Sequence, residues 1–159
     1  MIQHPTHFYD SASPHNIPSG VYAAVCVNGD YAWQEHDIQR MSRVFRYIAV
    51  EHGGKLSIEE WAPHARCVDI EPGCVWPPER AVPFLVARHQ HFGDATAYCD
   101  RGTLAEVQRI MRGIPVFHWV ATLDGTQNVP GAWSVQYQGG PNAPYDVSVL
   151  HGVNNFHQP

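Results

Sequence analysis

From Gly113 onward the chain keeps making strands but stops making helices, and no other feature limits its possible folds as much. Runs that read as strands recur at residues 7–11, 21–27, 44–50, 66–71, 95–99, 115–122, 133–138 and 145–150. Helical stretches separate the early ones. Residues 33–43 and 56–65 read as short helices, the second opened by the S-x-x-E pattern Ser57-Ile58-Glu59-Glu60. Residues 77–89 begin in prolines, which the first turn of a helix tolerates. A further capping pattern, Thr103-Leu104-Ala105-Glu106, precedes a stripe of Leu104, Val107, Ile110 and Met111, and Gly113 ends it. Beyond that point the links 123–131 and 139–144 are rich in Gly, Pro and Asn and too short for a long helix.

A standard eight-fold strand-helix barrel takes roughly 200 residues or more. The chain has 159. Eight strands fit only if the last helices are missing. The predicted fold is therefore α/β, one domain over residues 1–159, a small helix-depleted TIM-like (β/α) barrel of about eight strands. An open α/β sheet is the competing architecture, because periodicity in short runs does not separate the two.

Composition removes several function classes. With 44% hydrophobic and 16% charged residues the chain is globular. Its formal charge of −5 leaves no basic surplus to displace counterions, so a nucleic-acid partner is not expected. No apolar run reaches the ~18 residues of a membrane span. The start, Met1-Ile2-Gln3-His4-Pro5-Thr6, lacks a basic segment followed by an apolar core, so no secretory signal is read.

The chemistry concentrates in Arg66-Cys67-Val68-Asp69-Ile70-Glu71-Pro72-Gly73, an apolar run ending in two acids and a breaker. Strand side chains alternate between faces, so Cys67, Asp69 and Glu71 share one and Val68 and Ile70 the other. If the Val/Ile face packs on helices, both acids face the inside of the sheet at its C-terminal end. Paired acids there are the raw material of glycosidic-bond chemistry. The plain alternative is an ion pair with Arg66 or another Arg.

Catalytic groups of parallel barrels gather at the C-terminal ends of the strands. That rule adds Asp10, Asn28, Asp100, Trp119, Asp124, Gln136, Tyr137 and Gln138. Asp146 stands near the start of its strand, so the rule favours it less. Asp10 has an alternative use as cap of the turn Asp10-Ser11-Ala12-Ser13-Pro14, Asp100 as a loop or capping residue, and Asp124-Gly125 as a turn. Cys26, Cys67, Cys74 and Cys99 lack zinc-site spacing and read as buried thiols. His118, inside Val116-Phe117-His118-Trp119-Val120, reads as a half-buried, hydrogen-bonded histidine.

Together these residues resemble lysozyme-like glycoside hydrolase family 25. The likeness rests on Phe8-Tyr9-Asp10, Val68-Asp69-Ile70-Glu71, Ala97-Tyr98-Cys99, His118-Trp119-Val120-Ala121, Trp133-Ser134-Val135-Gln136-Tyr137 and Tyr145-Asp146-Val147-Ser148. The chain also looks like compact barrel proteins carried by actinobacterial phages. The resemblance implies a barrel of five strand-helix units and three further strands, with no metal or other cofactor required. It implies Glu71 as general acid and Asp69 stabilising positive charge on the sugar or orienting its acetamido group. Asp10 and Asp146 complete an acidic floor. Tyr98, Trp119 and Tyr137 are expected as faces for sugar rings, with core packing as the alternative, and Gln136 as a further substrate contact. The implied partner is a cell-wall polysaccharide or other glycan.

A second class of function is a non-catalytic phage virion component or glycan-binding module on the same barrel, with phage structural proteins as partners. Segments 139–144 and 154–159 would then offer docking surface. Location follows either way: host cytoplasm before lysis, or the phage particle. What separates the two readings is whether Asp10, Asp69 and Glu71 converge on an open groove, or are covered or ion-paired.

Overall fold

The computed structural model describes residues 6–151, so the 154–159 segment lies outside the described residues. Eight strands close into one barrel in sequence order: β1 (His7–Asp10), β2 (Tyr22–Cys26), β3 (Arg43–Ile48), β4 (Cys67–Asp69), β5 (Thr96–Asp100), β6 (Phe117–Ala121), β7 (Ser134–Gln138) and β8 (Asp146–Leu150). Closure excludes the open sheet. Neighbours from β1 to β7 are parallel, whereas β8 runs antiparallel to both β7 and β1.

The reversed strand explains the missing final helix. Parallel neighbours need a crossover of a dozen or so residues, but antiparallel ones are joined by a short turn. Residues 139–145 suffice between β7 and β8. The β6–β7 crossover, residues 122–133, is long enough but carries no helix.

Helices are sparser than the sequence predicts, even in the first part. The 33–43 stretch folds to one turn, α1 (Glu35–Ile38), and 56–65 to a 3-10 turn at Glu59–Trp61. A segment this short offsets the cost of nucleation only by packing an apolar face, and α1 buries only Asp37 while the 3-10 turn buries no residue. The Ser57 amide does bond Glu60 Oε2, at 2.6 Å. The 77–89 prediction divides into a 3-10 turn, Pro78–Ala81, and α2 (Val82–Phe92), which Gly93 ends at φ 72°. The last helix, α3 (Leu104–Ile110), takes its N-terminal bond from Asp100 and not from Thr103: Asp100 Oδ1 accepts from the Thr103 amide at 2.8 Å.

Alternation along the strands builds two kinds of core. Val68, Ile70, Ala97, Cys99, Val120, Val135 and Val149 point outward and pack with Phe84 and Leu85 of α2 and Val107 of α3. A second outer cluster joins Ala23 and Val25 of β2 to Trp33 and Met41. Inside stand Phe8, Phe45, Cys67, Trp119 and Trp133, backed by Tyr47 and Tyr98. Trp119 is the inner plug. Its ring meets Phe8 at 5.1 Å, Phe45 at 5.8 Å, Tyr47 at 6.1 Å and Tyr98 at 4.6 Å, and its Nε1 donates to Ser148 Oγ at 3.0 Å. The aromatic floor sits directly beneath the layer that carries the acids.

Candidate active site

Strand alternation lifts Asp10, Asp69, Tyr98, Asp100 and Gln136 to the inner face at the C-terminal ends of their strands. Glu71 lies just past the end of β4 and not within it. The Ile70 amide is the last of this segment to bond β5, donating to Tyr98 O at 2.9 Å. Pro72-Gly73 then turns the chain back, with the Cys74 amide donating to Glu71 O at 2.9 Å and the Val75 amide to Asp69 O at 3.1 Å. Glu71 is thereby held half-buried at the mouth, above the deeper Asp69.

Asp146 joins them because β8 is reversed. The pairing sets Asp10 directly opposite Asp146, so the first residue of β8 lies at the same end of the barrel as the last of β1. Gln136 ties the two together. Its Nε2 donates to Asp10 Oδ1 at 2.9 Å and to Asp146 Oδ2 at 3.4 Å, while its Oε1 accepts from the Tyr98 hydroxyl at 2.8 Å. Asp146 Oδ1 accepts from the Gly140 amide at 2.8 Å. Gly139 leaves room for this carboxylate: a Cβ there would lie 1.7 Å from Asp146 Oδ1.

The acids raise one another. Burial and then Asp146 push the Asp10 carboxyl up to about 7, with Glu71 adding to the rise and the Gln136 bond opposing it. Asp69 is pushed well above the usual carboxylate range by burial, by Glu71 and by Asp10, against a lowering bond from the Cys74 thiol. Its Oδ1 is buried with no hydrogen-bond partner among the described residues. Glu71 is raised by burial, then by Asp100 and Asp146, and Asp146 is raised by burial. A carboxyl shifted this way keeps its proton closer to neutral pH, as a proton donor to an ether oxygen must.

No basic group acts among these causes. The Arg66 guanidinium lies 5.0 Å from each of the Phe45 and Trp133 rings and 3.7 Å from Asp94, so the acid pairing with Arg66 is with Asp94. Asp69, Glu71 and Asp10 thus converge as acids on acids.

No protein-family model matches the chain, and no curated protein sequence does. Solved structures do match. A muramidase from Acremonium alcalophilum aligns over 96% of this chain and 95% of its own, with a TM-score of 0.54 and 10% identity. The CTP1L endolysin, whose activity is regulated by a secondary translation product, aligns over 95% of this chain and 67% of its own, with a TM-score of 0.55 and 10% identity. The chain shares the barrel fold of these two proteins.

Within the barrel the remaining candidates divide. Tyr98 reaches the acid layer through its hydroxyl. Trp119 is 2% exposed and enclosed by rings, so the sugar-stacking face expected of it is covered. Gln136 is 1% exposed and its amide is occupied by Tyr98 and the two acids, which leaves no surface for a direct substrate contact. Tyr137 leaves the site altogether. It follows Gln136 by one residue, packs against the outer cluster and stands edge-on to His7 at 6.1 Å.

Other strand-end residues do structural work. Asn28 Oδ1 accepts from the Ala49 amide at 2.8 Å and its Nδ2 donates to Val50 O at 2.9 Å, clamping the exits of β2 and β3. Ser11, not Asp10, caps the turn after β1, with its Oγ 3.0 Å from the Ser13 amide. Asp124 bonds the Thr126 amide at 2.9 Å and lies 3.6 Å from Arg101. Burial pushes the His118 imidazole below its ordinary value, and its buried Nδ1 has no hydrogen-bond partner among the described residues.

Sequence reading missed Cys74. Its Sγ and one oxygen each of Asp69 and Glu71 lie within 4.8 Å of one another, the one group among the described residues that could offer ligand atoms to a metal ion. Burial and the neighbouring Asp69 push the thiol up to about 12, so at neutral pH it is a protonated donor. The signal was its place three residues after Glu71, across a Pro-Gly turn that folds it back.

Proposed function

We propose that the chain is a muramidase-type glycoside hydrolase acting on peptidoglycan, with Glu71 as general acid. The observation that carries this reading is the convergence of Asp10, Asp69, Glu71 and Asp146 at one mouth with no cation acting on them. The general acid must reach the leaving-group oxygen and hold a proton until the bond breaks. Glu71 meets both needs, being half-buried at the mouth and raised by burial and by two acids. Asp69 lies deeper. Its bare Oδ1 suits an acetamido N–H, and in ionised form the carboxylate would stabilise positive charge developing on the sugar ring. Asp10 and Asp146 supply the floor.

The fold likeness to the Acremonium alcalophilum muramidase and the CTP1L endolysin supports the substrate class. The test is release of reducing ends from purified peptidoglycan and chitin-type oligosaccharides by wild type and Glu71→Gln. The expected result is release by wild type and a loss of several orders of magnitude in the variant. Equal background release from both overturns the enzyme reading. Retained binding to the polysaccharide in that case identifies a glycan-binding module.

A further inference from the structure

We propose that Gln136 is a positioning residue that touches no substrate and holds Asp10 and Asp146 as a matched pair, its amide aimed by Tyr98. The inference rests on the hydrolase reading for its catalytic meaning, but not for its geometry.

An amide has two N–H donors at one end and a carbonyl acceptor at the other. Gln136 spends all of this on three partners from three other strands. The N–H end meets Asp10 of β1 at 2.9 Å and Asp146 of β8 at 3.4 Å, and the carbonyl accepts from Tyr98 of β5 at 2.8 Å. The direction is determined by chemistry. Ionised carboxylates only accept, so when Asp10 and Asp146 are charged Nε2 must face them and Oε1 must face Tyr98. Burial and the surrounding acids hold the Tyr98 phenol well above its ordinary value, so it stays protonated and donates. Reversing the amide would set its carbonyl against two acceptors.

The consequence is control over where protons reside. Facing Asp10 are Asp146 from β8, Glu71 and Asp69 from β4 and its exit, Tyr47 from β3 and Tyr98 from β5. None of these brings a positive charge. The Gln136 N–H is the group that favours the ionised carboxylate at Asp10, in opposition to burial and to its acidic neighbours. Without it Asp10 would retain its proton to higher pH, and the negative charge beneath the sugar ring would be lost over the range in which Glu71 still carries a proton.

The test is a titration of Asp side-chain carboxyl carbons by NMR in wild type, Gln136→Met and Tyr98→Phe. In Gln136→Met, which keeps the length of the side chain and removes its donors, Asp10 is expected to bind its proton about tenfold more tightly. Asp124, on the surface, is expected not to move. Tyr98→Phe, which frees the amide to rotate, should shift Asp10 in the same direction by less, and the double variant should match Gln136→Met alone. An Asp10 titration unchanged in folded Gln136→Met overturns the proposal. If that variant does not fold, Tyr98→Phe decides, with an unmoved Asp10 again overturning it. The titration needs no turnover, so an inactive wild type would end the hydrolase reading and leave this result intact. With an active enzyme, the acidic limb of the kcat/KM profile should move to higher pH in Gln136→Met while KM holds.

Discussion

Asp10 and Asp146 stand opposite one another across the β1–β8 ladder, the last residue of one strand against the first of the other. Two acids meet there because the final strand runs backwards, and Gly139, just past the end of β7, clears space for one of them.

Gly139→Ala is therefore expected to disable the site. The new Cβ would overlap Asp146 Oδ1, and φ is 143°, a conformation that favours glycine. Strain of this kind costs about 1 kcal/mol. Gly93→Ala, at φ 72° with open space around it, carries strain alone. Both variants should lower the thermal midpoint, but only Gly139→Ala should lower peptidoglycan hydrolysis, by tenfold or more.

Stability should fall as pH rises from 5 to 8. Asp10 lies near 7 in the folded protein and near 3.8 by ordinary standards, and Asp69, Glu71 and Asp146 are raised as well. Folded protein then binds protons that the unfolded chain has released, so stabilisation is complete below the unfolded value and is lost as pH passes the folded one. Denaturant midpoints at pH 5, 6.5 and 8 should decrease in that order, and Asp10→Asn should flatten the trend.

Native thiols should resist alkylation. Cys26, Cys67 and Cys99 are buried, and Cys74, the accessible one, holds its proton to about 12. The thiolate is the nucleophile, so iodoacetamide at pH 8 should label native protein far more slowly than unfolded protein. Mass spectrometry with time reads the difference. Fast native labelling at Cys74 would show that its thiol is not the donor to Asp69.

Trp119→Phe distinguishes floor from sugar contact. The variant loses ring area in the inner core and leaves Ser148 Oγ without its donor. A cost of about 2 kcal/mol is expected, read as a drop of roughly 4–8 °C in the thermal midpoint. KM for glycan should not change. A raised KM at unchanged stability would mean that the ring meets the substrate.

The inward aim of Asp69 and the outward aim of Val68 and Ile70 were legible in the sequence because alternation is a local property of any strand. The same rule separates Gln136 from Tyr137, yet nomination of strand ends as a block took both, and the outer one left the site. The direction of β8 was not legible. It depends on which strands lie beside it, and no residue of Tyr145-Asp146-Val147-Ser148 encodes that. Asp146 was ranked low for this reason. For Trp119 the sequence left sugar face and core packing both open, because an aromatic at a strand end has the same signature whether rings or solvent surround it. The short helices at 33–43 and 56–65 were overdrawn because a helix of that length needs an apolar face to bury, and the turns that form there bury no apolar residue.

The hydrogen bond from Gln136 to Asp10 spans 126 positions, and Asp146 enters from later still. The acid cluster is thus closed by the chain's two halves meeting, not by any local segment. A ribosome that has delivered only the first seven strands has made every acid but one, with β1 and β7 each lacking the partner that completes the ring. The chain therefore cannot assemble its site during synthesis until β8 has emerged, and an unfinished copy has no complete set of carboxylates with which to cut a polysaccharide.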